Sequence, residues 1–404
     1  MTTRALPLTE PEFTDLLHAL RRRHYKWDIY ADGEPDVASD VIVLSPCEHE
    51  LLVDSAVRAW RAITSLEASI LADDRLLAAA GLPEALQTHL VGHEAAVRIA
   101  RFDFHYSEEH RWELVECNTD VPGGLVEMAG LAGELSGSPG TWAERFTDVH
   151  IPDALETALC EALSPYHRIG LVYDTAFSID LQQVELVADW LEERGHTVEI
   201  GAPGNIVESN GEFRLFDLPL DAVYRFFPGE LIPQLPNAET WYALDRVLPS
   251  MNPLSAAVGQ SKRTCAFPQA FPEVVAEWAA DTLRTSMPYT VFPESLERAR
   301  IIDERERWVI KTTFGRMGDG VAFGVDFSPE EWADAVDHIL DAPESFVLQE
   351  RFDTAPLWFS AGVAYPTIGV MLVNGEFAGY YSRYDYDQII SDGAKYVPTM
   401  VAVS

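Results

Sequence analysis

The first third of the chain carries the three-and-four spacing of apolar residues that is typical of amphipathic helices. Residues 9–23 begin with acidic and end with basic side chains, around an apolar face of Phe13, Leu16, Leu17 and Leu20. The same spacing predicts a longer helix from Cys47 to Ala72 and a further helix from Pro83 to Ile99. We therefore expect helices that deliver the chain to the segment beginning at Arg101.

The rhythm then changes to alternation, which is typical of strands. Arg101 to Phe104 and Trp112 to Asn118 are two short alternating runs joined by a polar turn, as in a hairpin. Because side chains on a strand alternate between its faces, Glu116 and Asn118 share one face. Asp103 can converge with them if the two runs pair.

The middle of the chain reads as strand, helix and strand, at residues 168–173, 180–193 and 197–200. This pattern predicts a parallel pair of strands with a right-handed crossover. Asn210-Gly211 indicates a hairpin within residues 206–215, and a further strand is predicted at residues 221–227.

Strand character returns at Trp308 to Lys311, directly before the glycine-rich stretch Phe314 to Val321. Ser328 is the predicted N-cap of a helix that runs to Leu340, and Phe346 to Glu350 is a strand. Asn374-Gly375 predicts a last hairpin. The chain as a whole is predicted to be an α/β protein.

Composition narrows the range of partners. The chain has 404 residues, too many for one ordinary core, and a net charge of −36 from 29 basic and 65 acidic residues. Such a surface repels nucleic acid and anionic membranes, so neither is an expected partner. It also repels nucleotides, so a nucleotide site would have to concentrate the few lysines and arginines locally.

The cysteines and the N-terminus favour a reducing compartment. The four cysteines lie far apart and show no paired metal-ligand spacing, which argues against a disulfide framework or a zinc site. The N-terminal residues lack the apolar core of a signal peptide, and no apolar run is long enough to span a membrane. A cytoplasmic location is expected.

The predicted hairpin also carries the first candidate chemistry. Asp103, Glu116 and Asn118 would bring two carboxylates and an amide oxygen together among apolar neighbours. Hard oxygen ligands of this kind hold Mg²⁺ and leave coordination positions for phosphate oxygens. The alternative is a half-buried hairpin whose acids are simply solvated.

Further candidates could bind a nucleotide. Lys311 ends an apolar strand before a loop that contains Gly315, Gly318 and Gly320, and such loops offer amide donors to phosphate. Lys262 could reach phosphate from the opposite side of a cleft, and Gln349-Glu350 could meet an adenine. Alternatively, Lys311 snorkels or pairs with a carboxylate, Lys262 ends a helix, and the strand simply leaves the core at Gln349.

The order of these pieces resembles the glutathionylspermidine synthetase family of ATP-grasp ligases. The resemblance lies in Arg101-Phe-Asp-Phe, the Glu-x-Asn strand end, Asn252-Pro with Ser261-Lys262, Val-Ile-Lys before a glycine-rich loop, Leu-Gln-Glu and a late Tyr-Val-Pro. It covers Arg101 to Pro398, nearly three quarters of the chain.

The resemblance implies a role for each residue. Asp103, Glu116 and Asn118 would hold Mg²⁺, and Arg101 would stabilise charge on the transferring phosphoryl group. Arg316 is a second candidate catalytic residue. The ATP-binding residues would be Lys262, Lys311, Gly318, Gln349, Glu350 and Arg383.

The chain departs from the family pattern at Met317, where the family usually has glutamate, and at Val121 to Gly124. Because those positions face the substrate or loop partners, the substrates are not predicted. Arg225 and the aromatic residues Tyr380, Tyr381, Tyr384 and Tyr386 are either substrate contacts or, as we favour, packing residues.

The resulting hypothesis is an α/β protein with an ATP-grasp fold in three parts: a helical region with the metal-binding hairpin at residues 1–163, an open α/β unit at 164–255 and the ATP-grasp lobes at 256–404. Its predicted function is ATP- and Mg²⁺-dependent joining of a small-molecule carboxylate to an amine. The alternatives are a phosphotransferase and a non-catalytic ATP-grasp scaffold.

Overall fold

The computed structural model describes residues 1–31, 33–92, 97–136, 142–315, 318 and 320–403. The helices are α1 Glu10–Arg23, α2 Pro46–Leu71, α3 Asp74–Ala79, α4 Glu84–Gln87, α5 Leu125–Ser136, α6 Leu155–Leu163, α7 Ser178–Glu193, α8 Ala238–Asp245, α9 Ala256–Gln260, α10 Phe267–Ala270, α11 Glu277–Ser286, α12 Arg298–Asp303 and α13 Pro329–Asp341.

The strands up to the middle of the chain are β1 Thr2–Ala5, β2 Tyr30–Ala31, β3 Glu34–Pro35, β4 Asp40–Leu44, β5 Ile99–Tyr106, β6 Trp112–Asn118, β7 Val149–His150, β8 Arg168–Tyr173, β9 Thr197–Gly201, β10 Ile206–Ser209, β11 Glu212–Leu215 and β12 Leu218–Pro219. The later strands are β13 Ala222–Phe226, β14 Ser250–Met251, β15 Thr290–Val291, β16 Trp308–Thr312, β17 Val321–Phe323, β18 Phe346–Glu350, β19 Leu357–Phe359, β20 Gly362–Val373, β21 Glu376–Asp385, β22 Lys395–Tyr396 and β23 Thr399–Ala402.

The elements with the strongest periodicity are confirmed, including α1, α2 and the β8-α7-β9 unit with its parallel strands. Both predicted Asn-Gly hairpins are also present. Asn210 and Gly211 have φ of 55° and 80°, and Asn374 and Gly375 have 51° and 82°. Asparagine and glycine tolerate these left-handed conformations, which two-residue hairpin turns require. Local turn chemistry therefore fixed both hairpins.

The predicted helix from Pro83 to Ile99 is wrong. Among the described residues of this range, Glu84–Gln87 alone is helical, and Ile99 already belongs to β5, where it pairs with Val373. The side chain of Asn252 accepts a hydrogen bond from the backbone N–H of Ile99 and donates one to its carbonyl. Contacts distant in sequence thus recruit this end of the segment into a sheet, against its local helical spacing.

An antiparallel sheet in the order β22-β21-β20-β5-β6, with β19 beside β20, unites early and late parts of the chain. The predicted β5-β6 hairpin pairs through β5 with β20, so that Asp103 lies between Glu116 on β6 and Gly369 on β20. This sheet combines strands from the ranges 1–163 and 256–404. The three-part division itself stays a prediction.

Two further sheets flank the hairpin. The parallel sheet β14-β13-β8-β9 packs against α7, and the antiparallel sheet β15-β18-β16-β17 carries Lys311 and Glu350. α12 and α13 cover the second sheet with an apolar cluster that includes Ile301, Trp308 and Trp332. Ser328 caps α13 as predicted, since its hydroxyl accepts a hydrogen bond from Glu331 N–H at 3.3 Å.

The largest apolar cluster lies around α2, which contacts α9, α11 and β20. Its buried positions include Leu52, Ala59, Ile63 and Leu66, which recur at helical spacing. Among the described residues, the helices are all too short or too polar to cross a membrane. The α/β prediction is confirmed, and the sheets meet around one cleft.

Candidate active site

One cleft collects the predicted site residues where the β5-β6 hairpin, the β16-β18 sheet and a short 3-10 turn, Lys262–Ala266, come together. Its lining includes Arg101, Asp103, Glu116, Asn118, Lys262, Lys311, Gly318, Gln349, Glu350 and Arg383. Arg316, the remaining predicted residue, lies outside the described residues. Segments separated by more than 250 positions therefore converge on one place.

Arg101 is held rigidly at the centre of the cleft. Its Nε and Nη2 donate to the two carboxylate oxygens of Asp103 at 2.7 and 2.8 Å, and its Nη1 donates to the Gly123 carbonyl at 2.7 Å. Its guanidinium carbon lies 4.5 Å from the ring centroid of Tyr381. Bidentate pairing and stacking fix the plane of the guanidinium, which suits recognition of a phosphoryl group.

Asn118 extends this network. Its amide nitrogen donates to Asp103 at 3.0 Å, and its amide oxygen accepts a hydrogen bond from Gln260 at 3.4 Å. The strand periodicity that placed Glu116 and Asn118 on one face therefore brings Asn118 to Asp103, as the convergence of the hairpin predicted. The three proposed metal ligands line the same cleft.

Lys262 reaches the hairpin from the 3-10 turn. Its ammonium lies 2.9 Å from the Glu116 carboxylate and donates to the Gly315 carbonyl at 2.8 Å. Burial raises the pKa of Glu116, but Lys262, helped by Arg101 and Lys311, outweighs it and lowers that pKa to about 2. Glu116 is therefore ionised at neutral pH, as a metal ligand must be.

Lys311 is a cation of the cleft with few partners. Its ammonium donates to the Val115 carbonyl at 3.2 Å, and no carboxylate among the described residues lies within ion-pair distance of it. Burial and the nearby Lys262 lower the pKa of Lys311 to about 8, although Glu116 opposes this change. A bound anion would compensate this charge.

The donor set fits a hard cation. Asp103 and Glu116 are cross-strand neighbours, and Asn118 adds an amide oxygen, which are the ligand types that Mg²⁺ prefers. A carboxylate offers about four lone-pair positions, so the hydrogen bonds that Asp103 accepts from Arg101 and Asn118 leave room for a metal. Among the described residues, no group of three or more His, Cys, Asp or Glu side chains is arranged to hold a metal ion.

Gln349 and Glu350 follow each other on β18 and both line the cleft. The Gln349 amide nitrogen donates to the Thr290 hydroxyl at 2.9 Å, and the Glu350 carboxylate lies 3.1 Å from Arg307. Both contacts fix the side chains at the C-terminal end of β18, in the sheet that carries Lys311. Their role beside adenine or ribose stays a prediction.

Arg383 enters the cleft from β21. Its Nη1 donates to the Ser391 carbonyl at 3.4 Å, while its buried Nε has no hydrogen-bond partner among the described residues. The guanidinium therefore keeps donor capacity for a ligand. The contact distance of 5.6 Å between the Arg383 guanidinium and the Tyr381 ring places it next to Arg101.

For Arg225 and the four tyrosines, the sequence left open whether they contact the substrate or pack in the protein. Arg225 is buried against Asp120, Tyr380 is hydrogen-bonded to His49 at 2.7 Å, and Tyr384 stacks on Phe359 at 4.0 Å. These are packing contacts. Tyr381 alone of the four predicted tyrosines lines the cleft.

Sequence reasoning missed several further lining residues, among them His105, Gln260 and Glu127. His105 follows Arg101 and Asp103 at the strand period of two, so the same alternation could have identified it. Burial, Lys311 and Arg383 lower the pKa of His105 to about 3, which keeps its imidazole neutral. Glu127 gave no sequence signal beyond its place in the first turn of a helix.

The comparisons with known proteins bear on this geometry. A sequence model of the glutathionylspermidine synthase preATP-grasp family matches residues 9–402. The chain belongs to this family. The match confirms the resemblance that the cleft motifs predicted. The glutathionylspermidine synthase family is a family of ATP-dependent ligases.

Solved structures extend this finding. A glutathione synthetase-like effector from Globodera pallida, in its apo form, has a TM-score of 0.61 at 13% identity, over 98% of this chain and 99% of that one. A putative gamma-glutamylcysteine synthetase from Methylobacillus flagellatus KT has a TM-score of 0.46 at 13% identity, over 83% and 86%. The search of curated proteins finds no match. The family match and the likeness to the Globodera pallida structure confirm the ATP-grasp-related fold.

Proposed function

We propose that the protein is an ATP- and Mg²⁺-dependent, ADP-forming ligase that joins a small-molecule carboxylate to an amine. The observation that carries the proposal is the convergence of Arg101, Lys262, Lys311 and Arg383 in one cleft of a protein whose net charge is −36. Bringing buried positive charges together costs free energy through their mutual repulsion and desolvation unless an anion binds among them. The phosphates of a nucleotide are anions of this kind.

The first step that the site supports is attack of the acid carboxylate on the γ-phosphorus of ATP. A phosphorus–oxygen bond forms to the acid, the bond to ADP breaks, and an acylphosphate results. Lys262 and Lys311 would hold the phosphates from two elements, and Arg101 would stabilise the charge on the transferring group. Electrostatics and positioning account for this step without a covalent protein nucleophile.

Asp103, Glu116 and Asn118 would hold Mg²⁺ in this scheme. When bound, the ion would neutralise charge on the nucleotide phosphates. The ionised state of Glu116 and the fixed plane of the Asp103 carboxylate, set by Arg101, prepare these oxygens for a cation.

The second step is attack of the amine nitrogen on the acyl carbon. A carbon–nitrogen bond forms, phosphate leaves with the electron pair of the carbon–oxygen bond, and the nitrogen loses its proton. The rigid pairing of Arg101 with Asp103 would keep the acylphosphate in place between the two steps.

An acceptor screen tests this function. Release of ADP would be followed for the purified protein with ATP, Mg²⁺ and a panel of carboxylates, with hydroxylamine as a general acceptor of acyl groups. A hydroxamate detected by mass spectrometry, formed only with ATP and Mg²⁺, is the expected result. A phosphorylated acid or alcohol that persists in hydroxylamine would indicate a phosphotransferase instead.

Binding distinguishes the remaining alternative. If a non-hydrolysable ATP analogue binds in calorimetry but no carboxylate gives ADP, the protein is a nucleotide-binding scaffold. The absence of both binding and turnover in a folded sample would contradict the proposal altogether. The cytoplasmic location stays a prediction of the sequence.

A further inference from the structure

A second charged feature lines the same cleft and has no part in binding phosphates. Glu127 lies in the first turn of α5 and is 5% exposed. Its Oε1 is 3.2 Å from the Lys26 ammonium, while its buried Oε2 has no hydrogen-bond partner among the described residues. An unsatisfied buried carboxylate oxygen is costly, so its presence at a cleft wall needs a reason.

The Lys26 ammonium does not neutralise its surroundings. It is 1% exposed and is shared by three carboxylates, those of Asp28 at 2.9 Å, Asp36 at 3.4 Å and Glu127 at 3.2 Å. One positive charge therefore faces three acidic groups. This cluster can accept a further cation with a favourable change in electrostatic free energy.

A second buried glutamate on the same helix shows the difference. Glu134 lies two turns after Glu127, is 4% exposed and has Arg23 at 3.2 Å and His24 at 3.0 Å. It does not line the cleft. Two basic neighbours serve one carboxylate there, whereas at Glu127 one lysine serves three.

A row of aromatic and cationic contacts connects Arg101 with Lys26, the ion-pair partner of Glu127. Arg101 stacks on Tyr381 at 4.5 Å, the rings of Tyr381 and Tyr396 lie 5.7 Å apart, and Lys26 lies 4.2 Å from the Tyr396 ring. Tyr381 and Tyr396 both line the cleft. A ligand held at Glu127 would thus lie across Tyr381 from the proposed phosphoryl-binding arginine.

We propose that Glu127 binds the ammonium form of the acceptor amine, with Tyr381 and Tyr396 as the adjoining walls, and accepts one of its protons on Oε2 before the nitrogen attacks the acyl carbon. Aliphatic amines are protonated in neutral water, and an ammonium is favoured by the unsatisfied carboxylate oxygen of Glu127. This amine site rests on the proposed ligase function and gives the cleft two ends of opposite charge. The phosphates occupy the basic end and the amine the acidic end.

Glu127→Gln tests the amine site with little change in shape. For the acceptor found in the screen, we expect the variant to raise KM about tenfold or more, because a charge-assisted hydrogen bond is lost. The KM for ATP and the rate with hydroxylamine, which is largely uncharged at neutral pH, should stay within about twofold, because neither depends on an ammonium at Glu127. This selectivity is a readout that general damage to the fold would not give.

Glu134→Gln is the matched control, since it removes an equally buried charge from the same helix outside the cleft. It should leave the KM for the amine unchanged. Should Glu127→Gln fail to fold, Glu127→Asp keeps the charge beside Lys26 but withdraws it from the cleft, and should also raise that KM.

The outcomes separate the two proposals. If the wild type releases no ADP with any acid and acceptor, the ligase function fails and the amine site fails with it. If the wild type is active but Glu127→Gln changes the kinetics of amine and hydroxylamine equally, or changes neither, the amine site is wrong and the ligase function stands.

Discussion

Two buried arrangements of charge differ in how fully they are satisfied. Arg225 pairs with Asp120, and both side chains are 1% exposed. The Arg225 guanidinium also donates to the carbonyls of Phe227, Asn252 and Pro253. Lys311, in contrast, has one carbonyl partner at 3.2 Å and a pKa lowered to about 8.

The difference separates structure from function. Asp120 also accepts a hydrogen bond from Gly229 N–H at 2.7 Å, so every oxygen and nitrogen of its pair with Arg225 is used. A closed network of this kind fastens the β6-α5 turn to β13 and the segment after β14. An unsatisfied cation such as Lys311 instead keeps its electrostatic interactions for a ligand.

Breaking the closed network should have the largest effect on stability. Arg225→Met leaves the Asp120 carboxylate buried without its cation, and we expect the free energy of unfolding to fall by about 3–5 kcal/mol. Urea denaturation followed by circular dichroism measures this loss. Arg168→Met is the control, because its pair with Asp221 is more than 30% exposed on both sides and should contribute little. Equal losses in the two variants would contradict the comparison.

Removing the unsatisfied cation should instead affect function. We expect Lys311→Met to lower the rate of ADP release by about 10²–10³-fold, as removal of one preorganised charge typically does. Calorimetry with a non-hydrolysable ATP analogue and Mg²⁺ would show weaker binding by a folded variant. Lys395→Met is the matched control, since Lys395 donates to the Pro35 carbonyl at 2.6 Å and lies outside the cleft. Normal turnover by Lys311→Met would refute its role.

The lowered pKa of Lys311 predicts a pH dependence of stability. Its pKa is about 8 in the folded protein against the ordinary 10.5, so between these values the unfolded chain binds the extra proton. Stability rises with pH wherever the unfolded state binds more protons. The wild type should therefore gain stability relative to Lys311→Met as the pH rises from 8 to 10.5. If the free energies of unfolding of the two proteins instead differ by the same amount throughout this pH window, burial does not destabilise the charged form of Lys311.

How far the sequence predicted the molecule depended on the range of the interactions. The hairpins at Asn210 and Asn374 and the cap at Ser328 follow from neighbouring residues, and all three are confirmed. The prediction of a helix ending at Ile99 is wrong because Ile99 pairs with Val373 in the sheet and hydrogen-bonds to Asn252, both far away in the chain. The periodicity of a segment does not reveal partners that lie far away in the sequence.

The site shows the same division. Alternation along two short strands was enough to bring Asp103, Glu116 and Asn118 together. Lys262 and Lys311 were identified from their local sequence context, and the order of the family motifs added Arg383. The surroundings of Glu127 could not be predicted, because Lys26 reaches it from the N-terminal segment and Tyr396 from the C-terminal one. The excess of negative charge around Lys26 arises only when these segments come together in the folded protein.

The smallest predicted effect concerns the turn between β6 and α5, which carries both Asp120 of the closed network and Gly124 at the cleft. Gly124 follows Asp120 by four residues and has φ of +100°, and a Cβ built there would lie 2.2 Å from the Tyr381 ring that stacks on Arg101. We expect Gly124→Ala to lower the free energy of unfolding by about 1–3 kcal/mol through backbone strain and overpacking.

Gly195→Ala separates these two causes. Gly195 has φ of +86°, but a Cβ there would meet nothing within 4 Å, so this variant reports the strain of the backbone alone. The additional loss in Gly124→Ala then measures the collision with Tyr381. If Gly124→Ala also slows ADP release while Gly195→Ala does not, the ring is required to hold Arg101 for phosphoryl transfer. Equal stability and equal activity of the two variants would instead mean that the Tyr381 ring moves aside without cost. The closed network at Asp120 and the open cleft would then contribute independently to stability and activity.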